Sequence, residues 1–260
     1  MTAAERIFGI HGKVALVTGG YSGIGAAVSL GLAAMGAKIA VTGNEGERAM
    51  DWAKSLEARG HEAWAATFDV LSAGDTRRMM DGVVDRFGQV DILVNSVGVN
   101  REQRADEITE DVFDHVLGVN LRGAMLQAQA AARHMIRQGS GGKQVHLGSV
   151  RTQLALRGRG YAAYCASKGG LGMLCKQFAA EWAPHRINVN VVAPTFVETE
   201  MSAPMLADEN FYRGLVARIP LGRIATPEDV MRAVLFLVSP AADYITGQIL
   251  YVDGGVTATQ

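Results

Sequence analysis

Cysteine is nearly absent from this chain: Cys165 and Cys175 are the two among 260 residues. Ten positions apart on one expected helix, they are separated by about 15 Å at about 1.5 Å per residue, too far to bridge. A disulfide-stapled secreted domain is therefore excluded, and reduced thiols in a cytoplasmic protein are expected. Charge of either sign is not in excess either. Twenty-five basic against 26 acidic residues leave a formal net charge of −1, so neither nucleic acid nor an anionic membrane is an expected partner. Long hydrophobic runs are missing: no window reaches about 18 uninterrupted apolar residues, and the opening "MTAAERIFGIHG" has no apolar stretch behind a basic start. Neither a membrane span nor a signal peptide is expected. The six histidines show no metal-ligand spacing, and no metal is expected. With six prolines, no Pro/Ser-rich linker, no low-complexity tract and no fixed-period repeat, one domain over residues 1–260 is the simplest division.

What the chain has is 48% hydrophobic residues and 31 glycines, enough for a sizeable core. Seven short β-branched runs recur: "KVALVTG" at 13, "KIAVTG" at 38, "AWAATFDV" at 63, "VDILVNSVG" at 90, "KQVHLGS" at 143, "INVNVVAP" at 187 and "QILYVDG" at 248. Each predicts a strand. Helical periodicity lies between most of them, as in "DTRRMMDGVVDRFG" and the long "EDVFDHVLGVNLRGAMLQAQAAARHMIRQG". Alternating strands and helices imply right-handed crossovers, hence an α/β fold with a single Rossmann-like, doubly wound parallel sheet of about seven strands flanked by helices. Residues 195–226 depart from the alternation with two prolines and a Met-rich apolar face, and are expected to form a substrate lid.

"VALVTGGYSGIGAAVSLGLAAMG" is a strand, a glycine loop and a small-residue helix. Its spacing is G-x-x-x-G-x-G over Gly19, Gly23 and Gly25, and it suits a dinucleotide: the backbone can approach a pyrophosphate closely, and free amides at a helix start attract its charge. After the second strand, an acid would favour a ribose 2′-hydroxyl and an arginine a 2′-phosphate. Gly43 and Asn44 supply neither, while Arg48 lies one helical turn beyond. NAD is preferred, with NADP left open.

The pair Tyr164 and Lys168 in "YCASK" completes a set of ordered motifs. With it, the chain resembles the short-chain dehydrogenase/reductase family over nearly its whole length. The resemblance rests on Thr18-Gly19-xxx-Gly23-x-Gly25, Asp69-Val70, Asn120, Ser149, the Tyr164-xxx-Lys168 motif, and Pro194 with Thr199. It implies catalytic roles for Asn120, Ser149, Tyr164 and Lys168. On the cofactor side it implies Thr18, Gly19, Tyr21, Ser22, Gly23, Ile24 and Gly25 of the loop, Asn44, Asp69 and Val70. Asn95, Gly98, Tyr164, Lys168, Pro194, Val197 and Thr199 complete that implied set. The family's NNAG is "NSVG" here, Thr195 stands where glycine commonly follows Pro194, and Thr152 is the alternative hydroxyl to Ser149.

Hydride exchange with a carbonyl carbon needs a proton on or off the oxygen, and a tyrosine near pKa 10 is a poor base at neutral pH. Lys168, one turn away, is expected to lower it: a cation at about 5 Å with an effective dielectric of about 20 contributes about 3 kcal/mol, or roughly two pKa units. Ala162, Ala163, Ala166, Gly169 and Gly170 are expected to let cofactor and substrate approach this helix. The resemblance implies that Ser149 polarises the substrate oxygen and that Asn120 holds a water relaying protons to Lys168.

Among nearby arginines, Arg101 and Arg151 stand closest to these elements, and an arginine fork suits a carboxylate or hydroxyls. "NSVGVNRE" also resembles the corresponding segment of sugar-acid members of the family. A polar hydroxy or keto substrate follows, such as a sugar acid, sugar or polyol. A 3-oxoacyl-[acyl-carrier-protein] reductase, with Met201, Met205 and Leu206 meeting an acyl chain, is the alternative enzyme. A non-catalytic dinucleotide sensor is the alternative of another class. The resemblance further implies a homotetramer or homodimer built through segments 106–138 and 161–183.

Overall fold

The computed structural model describes residues 2–259. All seven expected strands form: β1 Val14–Thr18, β2 Lys38–Gly43, β3 Ala63–Thr67, β4 Ile92–Asn95, β5 Gly142–Leu147, β6 Ile187–Pro194 and β7 Ile249–Val252. They make one sheet in the order β3-β2-β1-β4-β5-β6-β7, every neighbour parallel. The helices are α1 Ala3–Phe8, α2 Gly23–Ala34, α3 Gly46–Ala58, α4 Ala73–Phe87, α5 Glu110–Leu117, α6 Gly123–Gln138, α7 Ala162–Trp182, α8 Ala203–Leu206, α9 Glu209–Val216 and α10 Pro227–Val238.

Central strands such as β1 are buried along their whole length, because helices cover both faces. Side-chain alternation divides the core accordingly. Ala15, Val17, Ile39, Val41 and Val145 pack with α2, α3 and α10, whereas Val14, Leu16, Ala40, Leu93 and Val191 pack with α4, α6 and α7. Chain order reverses between β1 and β4, so a crevice opens beyond their carboxyl ends. Ligands of open parallel sheets bind at that switch point.

The segment of helical periodicity ending at residue 138 is helical from Glu110 on, but not α-helical throughout. A π-helical turn, Gly118–Arg122, separates α5 from α6 and carries Asn120. Such turns insert a residue without ending the helix, so apolar periodicity runs through them unmarked. The excursion after β6 folds into α8 and α9, which close over a small cluster of Leu215, Ile219 and Ile224 with Phe196, Phe211 and Tyr212.

Candidate functional site

The glycine loop leads from β1 into α2 at the switch point. Gly19 has φ +69°, a backbone region that L side chains rarely adopt. At Gly25 an added Cβ would lie 2.0 Å from the Gly19 carbonyl oxygen, so any side chain there would push the loop open. Ser22 precedes α2 without capping it through its side chain, and the first turn has no acid. The amides of that turn, with Ile24 beside them in the cleft, are free to meet an anion.

Next to the loop, Asn95 binds three strands together. Its Oδ1 accepts from Thr18 Oγ1 at 3.3 Å and from the Val97 amide at 3.1 Å. Those donors fix the amide orientation, so Nδ2 donates to His146 Nδ1 at 3.3 Å. His146 is fully buried, and burial with the nearby Lys168 charge brings its pKa down to about 4, keeping it neutral. Asp69 and Val70 follow β3 on the same side of the sheet. The Asp69 carboxylate accepts from the Leu71 amide, and Val70 packs on Gly123.

At the adenosine end, the Tyr21 ring takes the space over Gly43, where an added Cβ would lie 2.4 Å from its Cε1. Its hydroxyl donates to Asn44 Oδ1 at 3.2 Å, and Arg48 lies 5.5 Å from its ring centroid. On the opposite wall Pro194, Val197 and Thr199 all line the cleft. Thr199 lies against Gly23, and its amide donates to Ser202 Oγ at 3.0 Å. These residues fit a dinucleotide: a backbone cradle that a Cβ would fill, uncapped amides, and walls closing over both.

The cleft between loop and lid encloses about 500 Å3. Gly98, Ser149, Arg151, Tyr164 and Lys168 line it together. Lys168 is buried, its Nζ donating to the Leu147 carbonyl at 2.7 Å and standing 5.7 Å from the Tyr164 ring centroid. Burial lowers its pKa to about 8. Ser149 Oγ accepts from the Arg151 amide at 3.2 Å. Thr152, the alternative hydroxyl, is 2.9 Å from the Tyr251 hydroxyl and lies outside the lining. Ser149 is the hydroxyl that faces Tyr164.

The structure bears on three of these expectations, and the first needs correction. Tyr164 is not lowered: it is only partly covered because it lines the cleft, yet burial pushes its hydroxyl up to about 12, against the lowering pull of a hydrogen bond with Ser149. Desolvation of the phenolate outweighs a cation whose ammonium is turned to a backbone carbonyl. Asn120 does not offer a free amide. Its Oδ1 accepts from the Val99 amide at 2.8 Å, and its Nδ2 donates to the Val99 carbonyl and to Ser167 Oγ at 2.8 and 3.0 Å. The side chain thereby clamps the post-β4 loop to α7. Nor do the small residues of α7 open a path to the cleft. Ala162 and Ala166 face solvent, and an added Cβ at Gly170 would stand 3.0 Å from Leu121. At Gly170 that smallness lets α7 pack on Leu121 of the π turn.

Of the two substrate candidates, the structure brings Arg151 into the cleft and leaves Arg101 exposed, outside its lining. Arg151 is buried, with Nη1 donating to the Leu154 and Ala155 carbonyls at 3.2 and 2.7 Å. Two further lining residues, Asn100 and Glu102, escaped sequence reasoning, while Met201 and Met205 of the expected apolar lid do line the cleft, beside Tyr161. Glu102 accepts from Arg159 Nε at 2.7 Å, while Tyr161 donates to Met205 Sδ at 3.9 Å and packs edge-on to Tyr164. No local signal announces the Glu102–Arg159 and Tyr161–Met205 pairings, because the partners are 57 and 44 positions apart in the chain.

A family model described as enoyl-(acyl carrier protein) reductase matches residues 19–257. The chain is 38% identical over 257 residues to a gluconate 5-dehydrogenase of Gluconobacter oxydans, covering 97% of this chain and 98% of that one. It is 39% identical over 264 residues to a D-threitol dehydrogenase of Mycolicibacterium smegmatis, covering 99% of each. Among solved structures, a gluconate 5-dehydrogenase from Burkholderia cenocepacia in complex with NADP and tartrate superposes with a TM-score of 0.95. It is 37% identical, with 99% of this chain and 100% of that one covered.

Proposed function

The chain belongs to the short-chain dehydrogenase/reductase family, and on that premise we propose that it interconverts a secondary hydroxyl and a ketone on a sugar acid or a closely related polyol. It is an NAD(P)-dependent oxidoreductase acting on CH–OH groups. The observation that carries the substrate reading is Arg151, a buried guanidinium in the cleft wall two residues from Ser149. Relatives named for gluconate and threitol support it, as does the tartrate of the NADP complex, a small hydroxylated dicarboxylate.

When bound, the nicotinamide gives or takes the hydride. Tyr164, protonated at neutral pH, donates its hydroxyl proton to the ketone oxygen in reduction and recovers it in oxidation. Ser149 hydrogen-bonds the same oxygen and orients Tyr164. Lys168 places a positive charge where the phenolate forms, and Asn120 is a positioning residue that fixes the loop carrying Gly98 beside it. The glycine loop, Asp69, Val70, Asn95, Pro194, Val197 and Thr199 hold the dinucleotide, with residues 1–260 acting as one domain whose lid spans about 195–226.

For the cofactor, Arg48 is the basic group next to Tyr21 and Asn44, and we assign it to a 2′-phosphate. NADP is accordingly used, in keeping with the NADP named for two solved neighbours; the preference for NAD finds no support in them. The exposed Phe113, Ile136 and Met173 of α5, α6 and α7 support an assembly of copies through those helices. Two unbridged cysteines support a cytoplasmic location. Among the described residues, no helix is long and apolar enough to cross a membrane.

A turnover screen with NADPH and NADH against keto sugar acids, sugars, polyols and acetoacetyl thioesters tests the reading, the last because the matching family model names an acyl carrier substrate. Preference for the thioester would overturn it. Arg151→Ala is expected to raise KM for the best sugar-acid substrate by about tenfold, the size of one lost charge-assisted contact. Arg101→Ala is expected to leave KM within about twofold, as an exposed group outside the lining should.

A further inference from the structure

Arg48 already has partners. It stands in the first turn of α3, with Nη1 donating to Glu45 Oε2 and Nη2 to Glu200 Oε2, each at 3.0 Å. The Glu45 contact is local, three residues back. The Glu200 contact crosses 152 positions and reaches the lid. Glu200 directly follows Thr199, which lies against Gly23 and is tied to Ser202, whose Oγ also donates to the Val197 carbonyl. One ion pair therefore joins the adenosine end of the cofactor site to the first residues of the lid.

We propose that Glu200 is a specificity-determining residue: its carboxylate competes with the 2′-phosphate of NADP for Arg48, so that binding this cofactor releases the start of the lid. The inference rests on Arg48 being the 2′-phosphate partner. Both anions seek the same donors of one guanidinium fork, and a phosphate brings more charge and more acceptor oxygens than a carboxylate. The Arg48–Glu200 pair is exposed, so it is weak enough for a phosphate to displace. Glu200 nevertheless imposes two costs on NADP: loss of the pair, and repulsion between carboxylate and phosphate across one arginine. NAD carries a hydroxyl at that position and leaves the pair intact. Binding of NADP and release of the first lid residues are thus coupled through one side chain.

Dissociation constants of NADPH and NADH, measured by calorimetry without substrate, test this in the whole protein. Glu200→Gln removes the charge and keeps the shape, and is expected to tighten NADPH by about 3- to 10-fold, the effect of removing one nearby surface charge, with NADH changed less than twofold. Glu198→Gln is the control: an exposed lid carboxylate two residues earlier that makes no contact with Arg48. Equal tightening of both cofactors, or the same gain from Glu198→Gln, overturns the proposal in favour of a general charge effect. Arg48→Ala separates the two levels of the argument. If it weakens NADPH selectively while Glu200→Gln changes nothing, the competition fails and the assignment of Arg48 stands. If it leaves the NADPH to NADH ratio unchanged, the assignment falls and the competition with it.

Discussion

Tyr164→Phe is expected to lower kcat by about 10³-fold or more, with dinucleotide affinity held within about threefold. The substitution deletes one oxygen and keeps the ring, so its packing against Tyr161 survives. What is lost is the proton the ketone oxygen must receive. Ser149 cannot replace it, since its hydroxyl is a far weaker acid than a phenol. Steady-state kinetics in the reductive direction, with a parallel cofactor titration, check the result. A variant retaining more than about a tenth of wild-type kcat would remove Tyr164 from the proton transfer.

Lys168→Met should separate stability from activity. Burial has brought this ammonium from 10.5 to about 8, and at about 1.4 kcal/mol per pKa unit the folded state bears roughly 3 kcal/mol of desolvation at neutral pH. The hydrogen bond from Nζ to the Leu147 carbonyl returns about 2 kcal/mol, as charged hydrogen bonds do. Methionine fills a similar volume without either term. The variant is therefore expected to melt up to about 3 °C higher at pH 7, while kcat falls at least about 100-fold because the phenolate loses its cation. The pH dependence has a definite sign. Between about 8 and 10.5 the unfolded lysine binds more protons than the folded one, so wild-type stability rises with pH there and is lost as pH falls through 8. The advantage of the methionine variant should hence be full below pH 8 and shrink above it. Thermal melts of both proteins at pH 7 and pH 10 measure this, and a variant that melts several degrees lower at pH 7 would show that the ammonium stabilises the fold.

The division between what was legible and what was not follows the range of the interactions. Strands covered on both faces, such as β1, must be apolar throughout, and the edge strands β3 and β7 are short β-forming runs as well, so seven runs in the sequence became seven strands of one parallel sheet. The glycine loop, and Tyr164 one turn from Lys168, are likewise local patterns: a backbone approach and a helical repeat written within a few residues. The sequence by itself thus determined the fold class, and it singled out the glycine loop as the candidate dinucleotide site and Tyr164 with Lys168 as the candidate catalytic pair.

Tertiary structure decided the rest, because burial and charge depend on neighbours that are distant in the chain. It set Ser149 in the cleft wall and paired Thr152 with Tyr251, and opened a π turn around Asn120 so that its amide clamps Val99 and Ser167. It brought Arg151 into the cleft and left Arg101 in solvent, although both are arginines near the same strand ends. Above all it set the protonation of Tyr164. Sequence spacing predicts a lysine close enough to lower a phenol, but the desolvation that raises it depends on the surroundings that folding places around the hydroxyl.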